Sequence, residues 1–234
     1  MFYVFHGEDE FSRAQTLARF RAELAKDEPA MADFNTTILD GGRLTMGELR
    51  HVCDTIPFMA ERRMVIVLGL LGRLAPGAKG KGEKSSQGEE PAWRRAFLDE
   101  LVAYLPVLPS TTRLIFVEEK ALSPSHPVLK LIKAEGKKGG GFAKLFQPPK
   151  ESELPNWIRR HAQAKGGEID REAAKLLAML IGSDLRLLDQ ETEKLLLYAD
   201  GRPVNAEDVL ALVSRAREVN IFDLVDCVGR REPD

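Results

Sequence analysis

A short strand that ends in glycine and runs into a helix is where an α/β nucleotide-binding domain keeps its phosphate loop. This sequence offers that arrangement at its first residues, where the turn reads HGEDEFSR from His6 to Arg13. Holding a triphosphate requires GxxxxGK[ST], because backbone N–H groups, a lysine and a hydroxyl must converge on phosphate and Mg²⁺. Here there is one glycine, Gly7, no lysine, and three carboxylates, Glu8, Asp9 and Glu10, that repel phosphate. The tract GAKGKGEKSS, residues 77–86, has a suitable composition but lacks the adjacent Gly-Lys-Ser/Thr and follows the wrong strand. The apolar strand before it passes straight into GLLGRL without an acidic pair to hold Mg²⁺. Nucleotide hydrolysis is not expected, and no cofactor or metal is implied.

The other reactive side chains are no better placed. Of the four histidines, His6 ends a strand, His51 and His161 fall on helices, and His126 sits between Ser125 and Pro127. None has a ligand partner at i+4, so each reads as structural or solvated. Cys53 and Cys227 lie far apart and outside any CxxC spacing, as buried reduced thiols do. Basic residues gather in KLIKAEGKKGGGFAK, and Lys130, Lys133, Lys137, Lys138 and Lys144 are candidates for DNA contact. Such contact would weaken steeply with salt. A solvated turn accounts for the same composition.

The residues that most need an explanation are apolar. In DTIPFMAERRMVIVL, Ile56, Pro57, Phe58 and Met59 precede the charged Glu61, Arg62 and Arg63 and then an inner strand from Arg62 to Leu68. Two readings are open. Phe58 and Met59 fold back into the core, or they stand in solvent as a knob for a preformed pocket on a partner.

Elements that position these residues follow from periodicity. FYVFH, NTTILDGG, RRMVIVL, TTRLIFVEE and FAKLFQ read as strands alternating with helices. The first helix places Phe11, Ala14, Leu17, Ala18, Arg21 and Leu24 near a 3.6 period. Thr45 and Glu48 form a capping-box pattern at the start of another. Apolar inner strands alternating with helices predict an α/β domain with a mostly parallel sheet and helices on both faces. LAPGAKGKGEKSSQGEEPA, residues 74–92, has almost nothing to bury and reads as a surface loop.

Beyond Pro149 four short helices are predicted. Pro155 stands in the first turn of one. Asp170 caps the next, which buries Leu176, Leu177 and Leu180. Leu185, Leu188, Leu195 and Leu196 point inward on the third, and Asn205 caps the fourth. NIFDLVDCVGRREPD, residues 220–234, starts a further amphipathic helix without a partner. The expected division is therefore 1–148 for the α/β domain, 149–214 for a helical domain, and 215–234 for the start of a truncated third.

Bulk properties narrow the function classes. The 234 residues carry 34 basic and 36 acidic side chains, so no global field selects nucleic acid or an acidic membrane. The longest apolar run, MVIVLGLL, is too short to span a bilayer, and MFYVFHGEDEF has no basic region of a secretory signal. No membrane partner and a cytoplasmic location are the expectations.

The residues also carry a resemblance. GEDEF, TIPFMAERRMVIV, LIFVEEKAL, ELPNWIRRHA, IGSDLRLLDQETEKLLLYA and REVNIFDLVD, in that order, resemble the delta subunits of bacterial DNA polymerase III clamp loaders along the whole chain. That resemblance implies an AAA+-like α/β domain without a working phosphate loop, then a helical lid, then a helical collar that is here truncated. It implies a non-catalytic subunit that binds the sliding clamp (beta subunit) and opens one interface of the ring. ATP hydrolysis belongs to other subunits. Two adjacent large apolar residues at a helix-to-strand junction carry clamp binding in that family. They correspond to Phe58 and Met59, with Ile56 and Pro57 beside them, and Phe-Met keeps the bulk but not the identity of the family's usual Leu-Phe. The further partners implied are delta prime and gamma/tau through the collar, and primer-template DNA in the full assembly. Arg186, in GSDLR, falls where ATP-binding relatives sense phosphate, and reads here as structural or at a subunit boundary. The alternatives are a DNA-binding module built on the lysines and an active AAA+ ATPase.

Overall fold

The computed structural model describes residues 1–26, 31–75, 92–135 and 140–213. Two compact units divide between Gln147 and Pro148. The first holds a five-stranded sheet, with β1 at Phe2–His6, β2 at Thr36–Asp40, β3 at Arg63–Leu68, β4 at Thr112–Glu118 and β5 at Gly141–Leu145. The strand order is β2-β3-β4-β1-β5 and every pairing is parallel. The β-branched and aromatic runs RMVIVL and TRLIFVE occupy central positions and are almost wholly buried, whereas TTILD and GFAKL, the two edges, are largely open.

Crossover handedness decides which face each helix covers. Parallel crossovers are right-handed, so connections running one way across the sheet lie on one face and those running back lie on the other. Only β1 to β2 runs toward the β2 edge, and it carries α1, Glu10–Ala25. The connections from β2 to β3, β4 and β5 all run the opposite way. They carry α2 (Met46–Asp54), α3 (Leu70–Leu74), α4 (Ala92–Tyr104) and α5 (Pro127–Glu135). One face therefore buries the larger core, in which Leu49, Leu71, Leu101 and Val128 pack on Val4, Val65, Leu114 and Phe116. The other buries Phe5, Met64, Ile66, Ile115 and Phe146 beneath Leu17 and Phe20 of α1.

Two local expectations change. The inward face of α1 is rotated from the apolar set read off the sequence: Ala14 and Ala18 are exposed, and the buried position is Arg13. The aromatic contacts fix that rotation, with Phe20 edge-on to Tyr3 at 4.9 Å and to Phe5 at 5.4 Å. GLLGRL, which continued the apolar run, is instead the short helix α3, entered through Gly69 in the left-handed region at φ 69°.

The second unit contains α6 (Leu154–Ala164), α7 (Arg171–Ile181), α8 (Leu185–Ala199) and α9 (Ala206–Leu212). Leu154, Ile158, Ala174, Leu177, Leu188, Leu195 and Val209 are buried, while Leu176 and Leu196 are only half-buried. Asn205 and Asp208 complete a capping box on α9, and Arg202 grips the Asp208 carboxylate with two hydrogen bonds of 2.6 and 2.7 Å. Asp170 occupies the cap position of α7, but its side chain makes no cap hydrogen bond. One parallel bridge, Ile169 to Val204, adds extended pairing where none was expected. Residues 215–234 and nearly all of the 74–92 tract lie outside the described residues.

Candidate partner-binding site

In an open α/β sheet, ligands bind at the carboxyl ends of adjacent strands whose connections leave to opposite faces. That switch point lies between β1 and β4, and the chain's own groups occupy it. Gly7 takes φ +123° against β5, where a Cβ would sit 2.0 Å from the Phe146 carbonyl oxygen. The buried Arg13 guanidinium donates to the carbonyl oxygens of Gly7 and, at 3.3 Å, Glu118. The amino end of α1, which would face a phosphate, is capped by Asp9, whose carboxylate accepts from Ser12 N–H at 2.9 Å. Glu118 caps α3 in the same way, accepting from Leu71 N–H at 2.7 Å and Gly72 N–H at 2.9 Å. Burial pushes the Glu118 carboxyl up, against the pull of these two donors.

Two imidazoles beside it are held neutral. His6 Nδ1 accepts from Leu122 N–H at 3.1 Å. His126 Nδ1 accepts from Val128 N–H at 3.3 Å, so its Nε2–H donates to the Leu71 carbonyl at 3.2 Å. Burial lowers both from the ordinary imidazole value of 6.5. The unfolded chain therefore takes up protons below pH 6.5 that the folded chain refuses until lower pH, and stability falls as pH drops through that window. Glu118, with its raised pKa, acts in the opposite sense. Melting temperatures at pH 7.5 and about 5.5 should show a smaller fall for His126→Gln than for the unaltered chain; equal falls would contradict this assignment.

The second arrangement is the junction from α2 to β3. The capping box at Thr45 and Glu48 starts α2, as its sequence indicates. Its far end is fastened from four directions. Thr112 Oγ1 donates to the Cys53 carbonyl at 2.7 Å, and Tyr104 Oη donates to Asp54 at 2.6 Å. Arg63, buried although its neighbours Glu61 and Arg62 are exposed, donates to the Thr55 carbonyl at 3.0 Å and to Thr37 Oγ1 at 3.3 Å. One of the three flanking charges thus turns inward, as a tether. The fourth fastening is Asn35: its Oδ1 accepts from Phe58 N–H at 2.7 Å, and its Nδ2 donates to the Phe58 carbonyl at 2.8 Å.

On this anchored backbone the apolar side chains point outward. Ile56 is 84% exposed, Phe58 59% and Met59 69%; none belongs to the core. Pro57 between them is buried, and its ring fixes the backbone φ there. Met59 adopts the left-handed region at φ 47°, a conformation that non-glycine residues hold only when their surroundings impose it. Burial pushes the thiol of Cys53, in the last turn of α2, up to about 12, so it is an inert packing group.

The other sequence candidates are scattered. Lys130 and Lys133 are exposed on α5, Lys144 lies 4.7 Å from the Phe146 ring centroid on edge strand β5, and Lys137 and Lys138 fall outside the described residues. Arg186 is exposed in the first turn of α8. Among the described residues no three His, Cys, Asp or Glu side chains gather as metal ligands, and no helix is long and apolar enough to cross a membrane.

Comparison with known proteins places the chain in a family. A profile described as DNA polymerase III, delta subunit, matches residues 3–137, which is more than half of the chain and includes the whole junction. The chain belongs to the DNA polymerase III delta subunit family. A second profile, described as a middle domain, matches residues 150–211. The DNA polymerase III subunit delta of Bacillus subtilis (strain 168) is 24% identical over 232 residues, covering 98% of this chain and 61% of the relative. The solved structure of the Bacillus subtilis DNA clamp loader delta protein superposes with a TM-score of 0.74 at 25% identity, over 97% of this chain and 62% of that one. The chain thus spans less than two thirds of these delta subunits. Nothing local marks two further residues of the junction: Asn35 reads as the first residue of a strand, and Phe34 falls in no pattern.

Proposed function

We propose that this chain is the part of a clamp-loader delta subunit that grips the ring-shaped sliding clamp, with Ile56, Phe58 and Met59 as the gripping side chains. The observation that carries this reading is the contrast at the junction: a backbone tied by Asn35, Arg63, Thr112 and Tyr104, bearing large apolar side chains in solvent. A pre-ordered knob loses little conformational freedom on docking, so more of its burial energy remains as affinity. Burying what the folded chain leaves exposed of Phe58 and Met59, about two thirds of each, is worth roughly 2–4 kcal/mol together.

Docking alone holds a ring; opening it requires tighter binding to the sprung ring than to the closed one, which shifts the ring's equilibrium. No nucleotide chemistry by this chain enters that scheme, and the switch point filled by Arg13, Glu118 and Gly7 supports leaving it out. For the whole protein the partners are the clamp, the delta prime and gamma/tau subunits, and primer-template DNA in the cytoplasm, with Lys130 and Lys133 as candidate DNA contacts.

The test is a titration of the cognate clamp with this chain in the absence of nucleotide. Saturable binding that ATP and Mg²⁺ leave unchanged is expected. No binding, or binding that appears only with ATP, contradicts the reading.

A further inference from the structure

The turn that precedes β2 shares one buried side chain with the knob. Asn35 is only 2% exposed, and its amide also donates to the Met31 carbonyl at 3.0 Å. One carboxamide therefore ties the 31–35 turn to both backbone groups of Phe58. Only a side chain that donates and accepts from one planar group can do this, and at this reach that is asparagine; aspartate offers acceptors alone. Next to it Phe34 is 72% exposed, its ring centroid 6.4 Å from that of Phe58 and the planes tilted by 56°. A turn has no structural need for a solvent-facing phenylalanine, and this one continues the apolar surface of Ile56, Phe58 and Met59.

We propose that the 31–35 turn is a second part of the docking surface: Phe34 supplies a further apolar contact to the clamp, and Asn35 is the positioning residue that holds Phe58 in its outward pose. The occupant is the same clamp surface, so the inference rests on the function proposed above. It requires an apolar pocket with room for a second ring beside the Phe58 site, wider than a slot for two adjacent residues.

Clamp affinity, measured for two single substitutions and for the same two in a Phe58→Ala background, separates the two claims. Phe34→Ala should weaken binding about tenfold, in the range of a single buried aromatic contact. Asn35→Asp keeps the acceptor for Phe58 N–H and loses both donated bonds; it should weaken binding by a similar factor of about ten without touching the clamp. In a Phe58→Ala background Asn35→Asp should cost clearly less than alone, because the main side chain it positions is gone, whereas Phe34→Ala should still weaken binding several-fold, the two rings being close enough to couple. Asn35→Asp costing as much in that background as alone overturns the positioning role. Phe34→Ala, a surface change that leaves folding intact, binding like the unaltered chain overturns the second contact while the knob stands. If Phe58→Ala with Met59→Ala binds like the unaltered chain, the knob itself is wrong and this inference falls with it.

Discussion

Replacing Phe58 and Met59 together by alanine should weaken clamp binding by a factor on the order of 10 to 10³. The melting temperature should stay within about 2 °C of its original value. Both halves follow from exposure. Side chains that the folded chain does not bury contribute little to its stability, and surface substitutions usually stay within about 0.5 kcal/mol. The same side chains contribute affinity only when a partner removes them from water. Calorimetry and a binding isotherm on the same preparation check the pair of outcomes. A melting temperature lower by 10 °C or so would mean that the two residues are core.

The largest effect on stability should come from Gly7→Ala. At φ +123° an L side chain is strained whatever the space, and the added Cβ would meet the Phe146 backbone at 2.0, 2.8 and 2.9 Å. The obstruction is not a flexible side chain. Phe146 N–H donates to the His6 carbonyl at 2.7 Å and its own carbonyl accepts from Asp9 N–H at 3.2 Å, so yielding means parting β5 from β1. A loss of about 4 kcal/mol or more is expected, seen as a melting temperature lower by on the order of 10 °C or as loss of cooperative melting. Gly47→Ala is the matched control. It lies in α2 with nothing near its Cβ position, and it should hold or raise stability by up to about 1 kcal/mol. Equal effects of the two substitutions would contradict this description of the switch point.

Local signals carried much of the architecture. The Thr45 and Glu48 spacing, the β-branched run Met64–Val67 and the Asn205 cap each depend on neighbours within four residues, and each is where sequence places it. What stayed hidden depends on distant partners. The α3 helix is started by a carboxylate from Glu118, 47 positions away, so LLGRL alone reads as the end of an apolar run. Arg13 carries no local mark of burial; its partners are two carbonyls, of Gly7 and Glu118, that β1 and β4 bring to it. The candidate site divides along the same line. Pro57 and the charges of Glu61 and Arg62 marked Phe58 and Met59 as out of place in a connection. Nothing local could show that Asn35, 23 positions earlier, fastens that connection, or that Phe34 stands beside it.

The proposed docking surface rests on how these long-range ties expose short-range features. A loop free to collapse would bury its phenylalanine against the sheet, and the four fastenings at Cys53, Asp54, Thr55 and Phe58 prevent that. The sliding clamp is the partner proposed for the surface so formed. Amide hydrogen exchange of this chain, free and saturated with clamp, addresses that contact most directly. New protection should concentrate in peptides covering residues 55–62 and 31–36, with helices α6 to α9 little changed. Protection that leaves 55–62 untouched and gathers elsewhere would contradict the account.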